Sequence, residues 1–188
     1  MEFKPGATCP RFKGELLAPL TADDALTMQK LFGMYVLGNN FLQVIPILQG
    51  EAESGKSALA AVARELIGEQ NCAELRTAHL AERFEIARYR GKILLIGADV
   101  AGDFLSQEGT YKLKGMVGGD TLTGEQKFSN RSFSMLGIFN ILITWSRPKP
   151  ATSGKKSTPM SRAGEGVGRV LPGEKKRHMH RSPKFFQT

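Results

Sequence analysis

The chain has 188 residues, 41% of them apolar, enough to bury one core and little more. No apolar run nears the roughly twenty residues of a membrane-spanning helix, and no charged-then-apolar leader opens the chain, so a cytoplasmic protein without membrane contact is expected. The net charge of +8 sits at one end: eleven Lys/Arg against two Glu fall between Arg147 and Thr188, leaving fifteen Lys/Arg against sixteen acids before them. The high pI therefore says nothing about a basic face on the folded part.

Residues 1–20 carry Pro5, Pro10 and Pro19 and show no period. Thr21-Ala22-Asp23-Asp24 has the chemistry of a helix start, with Thr21 as N-cap and Asp24 at the reciprocal position. Leu26, Leu31, Met34, Tyr35 and Leu37 then predict one buried helix face, ended by Gly38-Asn39-Asn40. A strand is expected over 41–48. It runs into Gly50-Glu51-Ala52-Glu53-Ser54-Gly55-Lys56-Ser57, which fits G-x-x-x-x-G-K-[ST]. Residues 58–67 are rich in helix formers and stop at Gly68, completing strand, loop and helix.

That context gives the pattern its chemical meaning. Two glycines let backbone N–H groups converge on phosphate oxygens at a helix N-terminus, a lysine bridges the β- and γ-phosphates, and a serine hydroxyl holds magnesium. Gly50, Glu51, Ala52, Glu53, Ser54, Gly55, Lys56 and Ser57 are thus candidate binding residues for ATP and Mg2+, with Lys56 catalytic and Ser57 a metal ligand. Glu51 and Glu53 suit a phosphate loop only with their side chains turned outward.

Further along, 72–90 predicts a helix with Leu75, Leu80, Phe84 and Ile86 inward. His79 has no Cys or His partner at ligand spacing and reads as a surface residue; Arg83, Arg88 and Arg90 read as a solvated face. Cys9 and Cys72 offer neither metal-ligand spacing nor a disulfide framework. A second buried strand, 92–97, leads into Gly97-Ala98-Asp99. An acid at the end of a neighbouring strand completes a magnesium shell through water, so Asp99 is a candidate metal and catalytic residue. Residues 103–117 predict a short helix interrupted by Gly109, 118–127 a loop or β-hairpin, and 138–144 a final strand reaching Trp145. Beyond Arg147 the composition is that of a disordered arm. The expected architecture is a three-layer α/β domain with a largely parallel sheet and phosphates at the C-terminal strand ends. It divides into a helical lead-in (1–40), a P-loop core (41–147) and a basic tail (148–188).

The order of these elements resembles a known family. The P-loop, Gly-Ala-Asp99-Val, Asp103-Phe104-Leu105, Lys112-x-Lys114-Gly-x-x-Gly118-Gly119-Asp120-x-Leu-x-x-Glu125-x-Lys127 and Phe139-Asn140-Ile-Leu-Ile-Thr144 are similar to the C-terminal superfamily-3 helicase domain of phage and plasmid primases, which are AAA+ P-loop ATPases. Cys9-Pro10-Arg11-Phe12 and the Asp23–Gly38 helix resemble the lead-in to that domain, so the similarity spans about residues 3–148. The resemblance implies an ATP-dependent DNA helicase of a replication primase-helicase, assembled as a homo-hexameric ring on single-stranded or forked DNA in a bacterial or phage-infected cell. Asp99 takes the Walker B position, and Lys114 and Lys127 become candidates for phosphate-backbone contact around a channel hairpin.

Three features depart from the family pattern. Val100 stands where a second Walker B acid belongs. The last strand ends Thr144-Trp145-Ser146, without the asparagine that orients water there. Residues 148–188 do not look like the segment that supplies an arginine finger, and the primase half is absent. The alternative is therefore a catalytically impaired fragment that binds nucleotide, nucleic acid or both without unwinding. A small-substrate P-loop kinase would fit the loop but leave residues 118–127 unexplained.

Overall fold

The computed structural model describes residues 5–128, 131–146 and 170–171. A single π-helical turn, Phe12–Leu16, precedes α1 (Ala22–Val36). The Thr21 hydroxyl accepts the Asp24 N–H at 3.2 Å, the N-cap read from the sequence, and donates to the Asp24 carboxylate at 2.8 Å, a side-chain bond in place of the expected reciprocal one to the Thr21 backbone N–H. The buried face of α1 is Met28, Leu31, Phe32, Met34 and Tyr35; Leu26 and Leu37, expected inward, are exposed.

Four parallel strands follow: β1 (Ile45–Gly50), β2 (Cys72–Glu74), β3 (Leu94–Gly97) and β6 (Asn140–Ser146), with α2 (Lys56–Ile67) after β1. They lie in the order β2-β3-β6-β1, and the dipeptide β7 (Val170–Leu171) pairs antiparallel with Ile45 and Pro46. That dipeptide of the tail, expected to be disordered, thus pairs as a strand; the rest of 148–188 lies outside the described residues. All of β3 and the first five residues of β6 are buried, as strands covered on both faces must be. Leu94, Ile96 and Leu142 pack toward α1 and α2, while Leu95, Ile141 and Ile143 pack toward α3 (Tyr111–Gly118) and the 76–90 segment.

Residues 72–90 are not the helix their periodicity predicts. Cys72–Glu74 pair with Leu94–Ile96 as an edge strand, and the rest turns in short 3-10 segments. A buried ion pair holds them. The Glu85 carboxylate, with no side-chain exposure, takes the Arg76 guanidinium and the Tyr89 hydroxyl (2.6 Å), and the Arg76 N–H donates to that hydroxyl at 3.3 Å. Burial first, and the Glu85 carboxylate second, push the Tyr89 phenol up, keeping it a donor. Leu75, Leu80 and Ile86 are buried as expected, but Phe84 is not.

The stretch expected as one interrupted helix is a 3-10 turn, Phe104–Ser106, and then α3. Gly119, with φ +85°, caps α3 in the left-handed region and turns the chain into a hairpin of β4 (Thr121–Glu125) and β5 (Ser132–Leu136). The hairpin root is tied by Gly119 N–H to Gly137 O (2.8 Å), Gly137 N–H to Asp120 O (2.8 Å) and Phe139 N–H to Met116 O (2.9 Å). A Cβ on Gly137 would lie 1.8 Å from the Gly115 carbonyl oxygen. Gly137→Ala is therefore expected to cost about 1–3 kcal/mol in urea unfolding; unchanged stability would contradict this close approach.

Candidate functional site at the C-terminal sheet edge

β1 ends at Gly50, where a Cβ would lie 2.7 Å from the Ser54 hydroxyl, so a larger residue would make that hydroxyl turn aside. Gly55 (φ +87°) precedes α2, whose first turn has no side-chain cap, unlike that of α1. Its leading N–H groups and the positive end of the helix dipole are thus available to an anion. The Lys56 side chain is folded inside the loop and only 4% exposed. Its ammonium donates to Gly50 O (3.1 Å), Glu51 O (2.6 Å) and the Ser54 hydroxyl (3.1 Å). Ser57 is exposed on the first turn. Ala52, Glu51 and Glu53 are exposed as well, as two acids in such a loop must be, and Glu53 has φ +65°.

Two strand spacings away, about 10 Å between backbones, β3 ends beside the same edge. Register fixes the relation: Gly50 pairs with Ser146 on β6, and Gly97 pairs with Ile143. Asp99 follows in the left-handed region (φ +45°), a conformation that Asp tolerates better than most residues. β6 clamps it from three sides. The Thr144 hydroxyl accepts the Asp99 N–H (2.9 Å), the Thr144 carbonyl accepts the Val100 N–H (3.0 Å), and the Ser146 hydroxyl donates to the Asp99 carboxylate (2.8 Å). Asp99 is exposed.

The loop beyond turns back over β6, where a Cβ on Gly102 would be 3.1 Å from the Trp145 indole nitrogen. Val100 is buried in the core and Asp103 is exposed at the head of the next turn.

No group of three or more His, Cys, Asp or Glu side chains among the described residues could hold a metal by itself. The donor set at this edge is one hydroxyl and one carboxylate, which suits a magnesium ion that keeps its waters and takes other oxygens from a phosphate ligand. An ammonium already surrounded by carbonyl oxygens, with uncapped N–H groups next to it, fits a phosphate. The residues thus suit both groups. Thr144 and Ser146 escaped sequence reasoning, although their i, i+2 spacing at the end of a buried strand puts both on one side of the edge.

The other nominated cations are not brought together. Lys114 is exposed on α3 at the hairpin root, and Lys127 is exposed past the far end of β4, with about 17 Å of strand between them. His79 is on the surface, with Nδ1 2.6 Å from a Glu82 carboxylate oxygen; that contact holds Glu82 below the usual carboxylate range.

The model of the family of unknown function DUF5906 matches residues 48–158, more than half of the chain, including the Gly50–Ser57 loop, Asp99 and the hairpin. The chain belongs to DUF5906. No curated protein matches it. Among solved structures, the C-terminal region of NrS-1 shares the fold of this DUF5906 chain. An apo A-form structure superposes with TM-score 0.62 at 19% identity over 78% of this chain and 36% of that one. A second A-form structure, of residues 305–718, gives 0.58 at 18% over 77% and 34%, and a further apo structure gives 0.61 at 18% over 76% and 35%. The DUF5906 chain spans about a third of the length of those structures. No helix among its described residues is long and apolar enough to cross a membrane.

Proposed function

We propose that this chain is the ATP-driven core of a replication helicase, a P-loop ATPase of AAA+ type that moves single-stranded or forked DNA. The observation that carries this reading is the meeting, at one sheet edge, of the Gly50–Ser57 loop and an Asp99 held by Ser146. The ordered motifs that resemble primase helicase domains support the substrate.

In this reading the Lys56 ammonium exchanges the Gly50 and Glu51 carbonyls for β- and γ-phosphate oxygens, at no new desolvation cost because it is already buried. Magnesium, when bound, neutralises charge that develops on the phosphates. The Ser57 hydroxyl would hold that ion and the Asp99 carboxylate would complete its shell through water, with Thr144 fixing the Asp99 backbone and Ser146 its carboxylate. Lys114 and Lys127 take the nucleic-acid backbone. Assembly is a homo-hexameric ring, and the compartment is the cytoplasm of a bacterial or phage-infected cell.

One observation favours a second reading, a chain that binds nucleotide but turns it over poorly. Val100, at the place of the water-polarising acid, is only 8% exposed and packs into the core, and the end of β6 bears hydroxyls and an indole but no amide. Single-turnover ATP hydrolysis separates the two readings, with Lys56→Ala as the background. The motor reading predicts a wild-type rate well above that background and a further rise with single-stranded DNA. Equal rates, with ATP still bound, would leave the second reading.

A further inference from the structure

The loop that encloses Lys56 carries two acids. The Lys56 ammonium touches the carbonyls of Gly50 and Glu51 and the Ser54 hydroxyl, so residues 51–54 arch over the place proposed for the phosphates. Glu51 and Glu53, one side-chain length from those contacts, are exposed, and neither carboxylate meets a cation among the described residues. Over residues 50–57 two acids thus oppose one lysine. Glu53 is the more unusual of the pair. Its φ of +65° is in the left-handed region, where glycine is relaxed and glutamate is strained. An exposed, unpaired acid on such a backbone adds nothing to folding. Among the described residues no three His, Cys, Asp or Glu side chains group to hold a metal, so these acids act on a ligand through their charge and not by coordination.

We infer that Glu51 and Glu53 make the loop select magnesium-bound over metal-free triphosphate. The inference rests on the proposed nucleotide site and names the form of substrate it takes. Like charges near a surface repel through solvent over about one Debye length, ~10 Å at 0.1 M salt. Metal-free ATP brings roughly twice the negative charge of its magnesium complex, so each acid repels the free form about twice as strongly. The Lys56 ammonium and the N-terminus of α2 attract both forms. Discrimination therefore comes from what repels the wrong one. Phosphoryl transfer needs the ion to neutralise phosphate charge, so turning away free ATP spares the loop an unproductive complex.

The test is calorimetric titration of the full chain with a non-hydrolysable ATP analogue, in Mg2+ and in EDTA, at about 0.1 M and about 0.5 M salt. Glu53→Gln keeps the side-chain length and the backbone strain and removes only the charge. At the lower salt it should tighten the metal-free analogue about fivefold and the magnesium complex about twofold, as screened repulsion at about 8 Å gives. Glu51→Gln should behave alike, and the double variant should narrow the gap between Mg2+ and EDTA about fivefold. These gains should fade at the higher salt, where the Debye length is about 4 Å. Glu53→Gly also relaxes the backbone, so a gap equal to that of Glu53→Gln separates charge from strain. Glu65→Gln makes the same charge change at an exposed site about 13 Å further along α2, and both its affinities should stay within about twofold of wild type. Wild type that binds the analogue with a magnesium dependence all the loop variants retain would overturn this inference and leave the nucleotide site standing. Gains equal in Mg2+ and EDTA, or reproduced by Glu65→Gln, would overturn it as well. Absence of binding by every variant in either condition would remove the site itself, and the inference with it.

Discussion

Asp99→Asn is expected to slow single-turnover ATP hydrolysis in Mg2+ by about 10²–10³-fold, the usual cost of removing one preorganised charge-stabilising group. The substitution isolates the charge. Asn tolerates the left-handed backbone that Asp99 adopts, and its side-chain oxygen still accepts the Ser146 hydroxyl. The Thr144 clamps act on backbone N–H groups that Asn retains. Urea unfolding should therefore shift by less than about 1 kcal/mol, as for other exposed sites. Raising Mg2+ should recover part of the rate, because a weakened ion site is filled by mass action. A variant as fast as wild type at low Mg2+ would show that Asp99 does not hold the ion.

Arg76→Met is expected to destabilise the fold by roughly 3 kcal/mol, the largest stability effect of any single change considered, because it strands the buried Glu85 carboxylate. Two groups limit the damage. Tyr89 still donates to Glu85 at 2.6 Å, and Arg88, whose Nε is 4.0 Å away, can swing closer. Adding Glu85→Gln removes the uncompensated charge, so Arg76→Met/Glu85→Gln should regain half or more of the loss in urea unfolding. A double variant no better than Arg76→Met would mean that the charge is not what costs stability. The segment this network braces bears Arg83, which meets Glu125 at the end of β4, so the loss should also loosen the hairpin.

These two sites differ in how far the sequence showed them. Strand, glycine loop and helix were legible because the constraints are local, with Gly55 at positive φ and α2 following at once, although the strand expected over 41–48 runs instead over Ile45–Gly50. The buried strands β3 and β6 were legible as apolar runs, and the α1 cap as a four-residue pattern. The 76–90 segment was not. Its periodicity is helical, but pairing of Cys72–Glu74 with β3 and the Arg76–Glu85 bond, nine residues apart, outweigh helix propensity. The hold of Ser146 on Asp99 spans 47 residues, and only the register of β6 between β1 and β3 makes it visible. The Gly118-Gly119-Asp120 block, part of the motif that resembles primase helicase domains, caps α3 and ties the hairpin root to Gly137.

The central claim is that the Gly50–Ser57 loop and Asp99 together take one magnesium triphosphate. Calorimetric titration of the full chain with ATP, in Mg2+ and in EDTA, tests it most directly. One ATP per chain should bind in Mg2+, with affinity at least tenfold weaker in EDTA and lost in Lys56→Ala. Absence of binding by wild type, or binding indifferent both to magnesium and to Lys56, would contradict it.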